Sequence, residues 1–184
     1  DKLIEVQGVR LGALRLTELM LESDPPPRRD LQRLRRHIRK HARGALKRVR
    51  GHKPSIVYGS SGSIHALAEA AYRIETGRPL TQLNGHHLSL ESLDRLTRRL
   101  QRMDAGERER IFGLDPRQAE IIVPGAMVLR HVLEEVGADG IMVSDYGVRE
   151  GLVTDYLRSH PREVTTLEGG ESLRHRSALQ LLAR

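Results

Sequence analysis

Hydrophobic side chains recur at intervals of three and four along most of this sequence, the period of helices with one buried face, and a few short β-branched runs interrupt them. Residues 13–22 carry Leu14, Leu16, Leu19, Met20 and Leu21 and predict a short buried helix. Ser23-Asp24-Pro25-Pro26-Pro27 stops it, because three prolines cannot continue an α-helix. Leu31, Leu34, Ile38, Ala42, Ala45, Leu46 and Val49 then trace one stripe of a long helix that Gly51-His52-Lys53-Pro54 ends. Residues 63–76 put Ile64, Leu67, Ala68, Ala71 and Ile74 on one face before Gly77-Arg78-Pro79. Ser89 is the predicted N-cap of a helix through about Met103, with Leu90, Leu93, Leu96 and Leu100 inward. Asp104 caps a shorter helix that runs to Phe112 and stops at Gly113. Asp115-Pro116 opens the next, since Pro is tolerated at the first helical position. It runs to Val136 with a kink at Pro124-Gly125 and closes at Gly137.

Ser55-Ile56-Val57-Tyr58, ending at Gly59, and Ile141-Met142-Val143 read as short buried strands. Residues 2–6 have strand character, although neither face is cleanly apolar, and read as continuing something upstream. Strands near 3–11, 55–59 and 140–144 are expected to share one sheet with helices packed on it. The N-terminal side should then carry an exposed edge, or one covered by another chain. A helix over 147–157 follows the last strand, and the alternation of strands and helices gives the α/β class. His86-His87, after an Asn84-Gly85 turn, reads as a loop pair without partners. From Pro161 the pattern weakens, Glu168-Gly169-Gly170-Glu171-Ser172 reads as a linker, and a new apolar helix opens over 173–182. Both ends read as cut, so the expectation is a piece of a longer chain.

Composition narrows the class. At 184 residues the chain suits one domain, or one domain plus a fragment. The longest uncharged apolar run, 121–129, is far short of the ~20 residues a membrane span needs, so no membrane partner is expected. Without Cys there is no disulfide frame, no Cys-ligated zinc and no thiol nucleophile. That fits a reducing compartment, and together with the absence of a secretion-type apolar core in the first residues it leads us to expect a cytoplasmic location.

Charge adds a second feature. Lys and Arg number 31 against 24 Asp and Glu, a formal net charge of +7. Between Arg28 and Lys53 lie twelve Lys or Arg, three His and one acid, Asp30, all on the helix whose apolar stripe is described above. A basic helix attracts polyanions, or it is a solvated face whose long side chains cover the core edge. Aromatic residues to stack on bases are missing from it. His37 and His41 have ligand spacing but sit among arginines, which disfavours a cation, and they read as exposed helix histidines.

Two loops carry candidate chemistry. Gly59-Ser60-Ser61-Gly62-Ser63 lies where a strand gives way to a helix. Small residues there let the backbone approach a ligand, and the free N–H groups and helix dipole favour an anion. The same residues also make an ordinary Gly/Ser turn and helix cap. The loop is not a P-loop, because no Gly-Lys-Ser/Thr follows, and it lacks the hydrolase nucleophile elbow. Gly147-Val148-Arg149-Glu150-Gly151 follows the last strand, and Arg149 with Glu150 can bind an anion or form a surface charge pair beside a helix cap. Arg117, in the first turn of the kinked helix, has the bidentate donors and reach for a phosphate.

Arg117-Gln118-Ala119-Glu120-Ile121-Ile122-Val123-Pro124-Gly125-Ala126, followed by Ile141-Met142-Val143-Ser144-Asp145-Tyr146-Gly147-Val148-Arg149-Glu150-Gly151-Leu152, resembles the exopolyphosphatase / guanosine pentaphosphate phosphohydrolase (Ppx/GppA) family. Gly59-Ser60-Ser61-Gly62-Ser63 is similar to that family's Gly-Thr-Ser-Gly-Thr loop, with Ser for Thr, and Leu11-Gly12-Ala13-Leu14-Arg15-Leu16-Thr17-Glu18 to its Leu-Gly-Ala-Val-Arg-Leu-Thr-Glu stretch. The four matches span about 3–157. The tail, with His175 and Ala178-Leu179, resembles the opening helix of the HD-like helical region of long members.

The resemblance implies an actin-like ATPase fold (actin, heat-shock chaperone, sugar kinase) of two lobes, with residues 1–159 as most of the second lobe and 160–184 as a linker and the start of the helical region. It implies hydrolysis of the terminal phosphoanhydride of polyphosphate or guanosine pentaphosphate, with Mg2+ as cofactor. The water-positioning glutamate belongs to the first lobe, so no catalytic residue is expected in this chain. Gly59, Ser60, Ser61, Gly62 and Ser63 become the phosphate-facing loop, Arg117 a phosphate contact, and Arg149 and Glu150 cleft support. Expected partners are the substrate, the first lobe of the same protein, and a second copy as a homodimer. The alternative is a basic polyanion- or nucleic-acid-binding module working through residues 28–53.

Overall fold

The computed structural model describes residues 3–159, so the readings of a linker and an apolar helix within 160–184 fall outside the described residues. The chain divides into two compact units, residues 1–145 and 146–184. The first contains helices α1 (Ala13–Met20), α2 (Arg28–Gly51), α3 (Gly62–Thr76), α4 (Leu90–Leu100), α5 (Ala105–Phe112) and α6 (Pro116–Val136), with strands β1 (Tyr58–Gly59), β2 (His87–Ser89) and β3 (Gly140–Val143). Helix α7 (Val148–Ser159) lies in the second unit.

Local chemistry sets most helix ends. Ser61, Ser89, Asp104 and Asp115 each accept a backbone N–H of the first turn. Asp104 and Glu107 form a reciprocal capping box. Gly77, Gly113 and Gly137 end α3, α5 and α6 in the left-handed conformation, with φ of 70°, 68° and 77°, which a side chain would strain. Helix α6 contacts α1, α2, α3, α4 and α5. Ala119, Ile122, Val123, Pro124, Ala126, Met127, Leu129 and Leu133 are all buried along it, the pattern of a helix that is core on most sides. Leu34, Ile38, Ala42 and Ala45 bury the inner stripe of α2, as the spacing predicts.

The sheet differs from expectation. Strand β3 is central, pairing parallel with β1 (Tyr58 opposite Met142) and antiparallel with β2 (Leu88 opposite Ile141). Residues 3–11 form no strand: Leu3 and Ile4 are 77% and 73% exposed, and the segment is held by side chains instead. Glu5 takes Arg48 at 3.2 Å and His52 at 2.8 Å, both on or just after α2. β-branched residues confer a strand only where a ladder partner exists, and among the described residues none lies beside these. The third strand comes from the histidine loop. His87 opens β2 and lies 3.8 Å from Asp139, and the His86 ring meets Tyr72 edge-on at 5.7 Å. These two histidines therefore do have partners.

A buried arginine joins the elements. Arg108 of α5 is 1% exposed, and every one of its five N–H groups has an acceptor. Nε donates to Leu100 C=O at 3.2 Å, Nη1 to Ala119 C=O at 2.9 Å and Asp24 Oδ2 at 3.3 Å, and Nη2 to Asp24 Oδ1 at 2.6 Å and Met103 C=O. Asp24 also accepts the Ala105 N–H at 2.6 Å. The end of α4, the body of α5, the first turns of α6 and the connector after α1 thus share one hydrogen-bond centre. Asp24 is 39% exposed, so what removing the guanidinium strands is chiefly the buried Leu100 and Ala119 carbonyls, at a cost of about 1–3 kcal/mol. Arg108→Met should lower stability by that amount, and Arg108→Lys, with three donors and no fork, should recover little of it. Chemical unfolding checks both, and wild-type midpoints would show that the network contributes nothing.

Candidate functional site

Strands β1 and β3 run parallel, so their C-terminal ends open at the same edge of the sheet, the place where open α/β sheets receive ligands. Gly59, the last residue of β1, approaches β3 closely enough that Ser144 N–H donates to Gly59 C=O at 2.9 Å. A Cβ on Gly59 would stand 2.3 Å from Ile141 Cδ1 and 2.7 Å from Ile64 Cδ1, so glycine is required by packing. Ser60 and Ser61 are exposed beyond it, and α3 begins at Gly62.

Ser61 caps α3 twice. Its Oγ accepts Ile64 N–H at 3.2 Å and its C=O accepts His65 N–H at 3.0 Å. The amides of Ser61, Gly62 and Ser63 precede the first intrahelical bond and have no acceptor inside the helix. They lie at the positive end of the helix dipole. The Ser63 side chain is turned toward α6: a Cβ on Gly125 would lie 3.5 Å from Ser63 Cβ and 3.6 Å from Ala13 Cβ. The N-terminal ends of α1 and α3 therefore meet over the Pro124-Gly125 step of α6. Proline removes the backbone donor there, and a Cβ on Gly125 would make only ordinary van der Waals contact with the two helix starts.

Arg117 is exposed in the first turn of α6, and its neighbour Gln118 sits against the start of α3, where a Cβ on Gly62 would be 3.2 Å from Gln118 Nε2. The two helix starts are thus neighbours. One residue missed by sequence reasoning belongs to this edge. His65 reaches from α3 to the loop after β3, its Nε2 lying 2.9 Å from Ser144 C=O and 3.9 Å from Asp145 Oδ1. Asp145 N–H in turn donates to Asn84 Oδ1 at 3.1 Å, so helix α3 and two loops are tied together. No local signal marks His65, because its partners are about 80 positions away in sequence.

Arg149 and Glu150 lie in the first turn of α7, in the second unit. Glu150 accepts the Gly147 N–H at 2.7 Å. Hydrogen bonds from its own backbone N–H and from that of Gly147 hold its carboxyl below the ordinary glutamate range. Among the described residues no group of three or more His, Asp or Glu is arranged to hold a metal ion, and no helix is long and apolar enough to cross a membrane.

Known proteins share this fold. The profile of the Ppx/GppA phosphatase family matches residues 1–160. Exopolyphosphatase 2 of Mycobacterium tuberculosis is 27% identical over 146 residues, covering 77% of this chain and 46% of that protein. Exopolyphosphatase 1 of Mycobacterium leprae is 27% identical over 150 residues, covering 81% of this chain and 44% of that protein. Among solved structures, the Ppx/GppA family member of Aquifex aeolicus superposes with a TM-score of 0.72 at 26% identity, covering 86% of this chain and 50% of the other. An exopolyphosphatase from Cytophaga hutchinsonii gives 0.73 at 25% identity, with coverages of 83% and 49%. The chain spans about half the length of the relatives it matches, and its fold is the actin-like ATPase fold of these neighbours.

Two expectations follow from the site's packing. Gly59→Ala must displace the buried Ile141 side chain and should destabilise by about 1–3 kcal/mol. Gly125→Ala meets only ordinary contacts and should be neutral or stabilise by up to about 1 kcal/mol; unfolding curves that rank the pair the other way would contradict the assigned contacts. A third expectation concerns charge. Glu150, with its pKa lowered by folding, supports the α7 start above the ordinary glutamate range and loses that role as pH falls through its folded value. The Gly147 amide resonance should therefore titrate with a midpoint below that of an unstructured glutamate, and a midpoint at or above it would show that the contact is not made.

Proposed function

The chain belongs to the Ppx/GppA phosphatase family, and we propose that the intact protein removes the terminal phosphoryl group of inorganic polyphosphate or guanosine pentaphosphate, this chain supplying the side that holds the phosphates. The observation that carries the reading is the pairing of two parallel strand ends with the capped start of α3, whose first amides have no acceptor inside the helix. Relatives named exopolyphosphatase support polyphosphate as one substrate class. Family membership favours this over the basic binding module.

In this proposal the phosphoanhydride lies along the edge where β1 and β3 end. Backbone amides and the α3 dipole offset charge on nonbridging oxygens, and Arg117 adds a mobile guanidinium from the neighbouring helix start. His65 holds the Ser144-Asp145 loop against α3, keeping the site from opening. A water oxygen attacks the terminal phosphorus, the bridging P–O bond breaks, and orthophosphate leaves with the chain shortened by one unit. The carboxylate that positions this water is proposed to come from outside this chain. Magnesium, which the family resemblance implies, would compensate phosphate charge. The described residues provide no metal-ligand cluster, so no step is assigned to it here.

Phosphoryl transfer depends on charge compensation from both sides of the phosphates. The 184-residue chain alone should release no phosphate from either substrate, whereas the full-length protein should. Side-by-side phosphate-release assays decide this, and comparable rates would place the chemistry within this chain. In the full-length protein, Arg117→Ala should lower kcat/KM by roughly 10-fold or more, the scale of a lost charge-assisted contact. Unchanged kinetics would remove Arg117 from the site.

A further inference from the structure

The cations of α2 fall into two classes. Arg29 and Arg33 pair with Glu22 and Asp30, the latter contacts at 3.7 and 3.4 Å, and Arg48 pairs with Glu5. Asp30 itself is 1% exposed and accepts the Glu22 N–H at 2.9 Å, so the one acid of the basic segment is spent on fastening α2 to the connector before it. Arg36, Lys40, Arg43, Lys47 and Arg50 are different: all are solvent-accessible, and none is ion-paired with a described residue. Their spacing of four, three, four and three residues puts them on one narrow stripe. At 1.5 Å per residue the stripe is about 21 Å long. Like charges at i, i+4 destabilise a helix, so this arrangement works against the stability of α2 when nothing is bound.

The stripe borders a groove. Arg36, Arg39, Lys40 and Arg43 of α2 face His131 and Glu135 of α6 across a cavity of about 400 Å³, four cations against one carboxylate. The Nε2 atom of His131 is buried there with no hydrogen-bond partner among the described residues.

We propose that this face of α2, with the groove against α6, is a docking rail for an extended inorganic polyphosphate chain. A compact phosphate would use one or two of these cations, whereas a linear polymer of singly charged units can meet all five. Single-stranded nucleic acid fits less well, because the helix offers no Phe, Tyr or Trp on which bases could stack beside the cations. The inference rests on polyphosphate as the substrate class and adds a place for the part of the polymer that is not being cleaved. Such a rail would raise affinity for long chains by multiple contacts without touching the reacting phosphoryl group.

The test uses the full-length protein and the variant Arg36→Gln, Lys40→Gln, Arg43→Gln, Lys47→Gln, since Gln keeps helix propensity. Direct binding of long-chain polyphosphate should weaken at least about tenfold at low salt, with a shallower salt dependence, as expected when phosphate contacts are removed. Turnover of tripolyphosphate should be unchanged, and the unfolding midpoint unchanged or raised. Arg36→Lys with Arg43→Lys, which keeps the charge, should retain long-chain binding and guards against a folding defect in the first variant. Wild-type affinity for long-chain polyphosphate in the Gln variant would overturn the proposal. So would loss of duplex RNA binding with polyphosphate binding intact, which would assign the face to nucleic acid. If the protein cleaves only guanosine pentaphosphate, the substrate reading fails, yet weakened polyphosphate binding by the Gln variant would still support the rail.

Discussion

A single guanidinium holds the arrangement of helices on which the rest depends. Burying a charge costs several kcal/mol unless it is paired and fully hydrogen-bonded. Arg108 meets that condition with five acceptors drawn from four parts of the chain. Its bond to Ala119 C=O lies little more than a helical turn before Pro124-Gly125, so it locates the segment of α6 on which α1 and α3 rest. Moving that segment would move the start of α3, and with it the amides offered to a ligand. The network is thus remote from the candidate site in sequence yet sets where the site stands.

Close approach is the second constraint, and small residues provide it. Gly59 lets β1 lie against Ile141. Gly140 lets β3 pass β2, where a Cβ would stand 2.6 Å from the Leu88 carbonyl oxygen, a backbone atom that cannot swing aside. These positions bring strands and neighbouring elements into close packing. His65, Ser144 and Asp145 then tie the loops that those approaches bring together.

Charge is partitioned along the same lines. Carboxylates that face α2 are used to anchor the chain around it, Asp30 at its first turn and Glu5 near its end. The outer stripe is left with cations alone. The net positive charge of the chain is therefore an oriented surface of one helix, which is the condition for attracting a polyanion from solution.

Helix positions were legible because their determinants are local. The apolar stripes of α2 and α6, the caps at Ser89, Asp104 and Asp115, and the stops at Gly77, Gly113 and Gly137 all lie within a turn or two of what they control. The loop 59–63 was legible for the same reason, being a strand end, a cap and a helix start in consecutive residues. Strand pairing was not. Residues 3–6 have the composition of a strand but no ladder partner, while His87–Ser89 looks like a loop and becomes a strand because β3 offers its edge. Arg108 and His65 were equally invisible, since Asp24 and Ser144 lie 84 and 79 residues from them and an Arg or His on a helix carries no mark of such a partner. Periodicity and capping act between near neighbours and can be read from order alone; ladders, buried charges and loop ties act between distant segments and exist only once folding has brought those segments together.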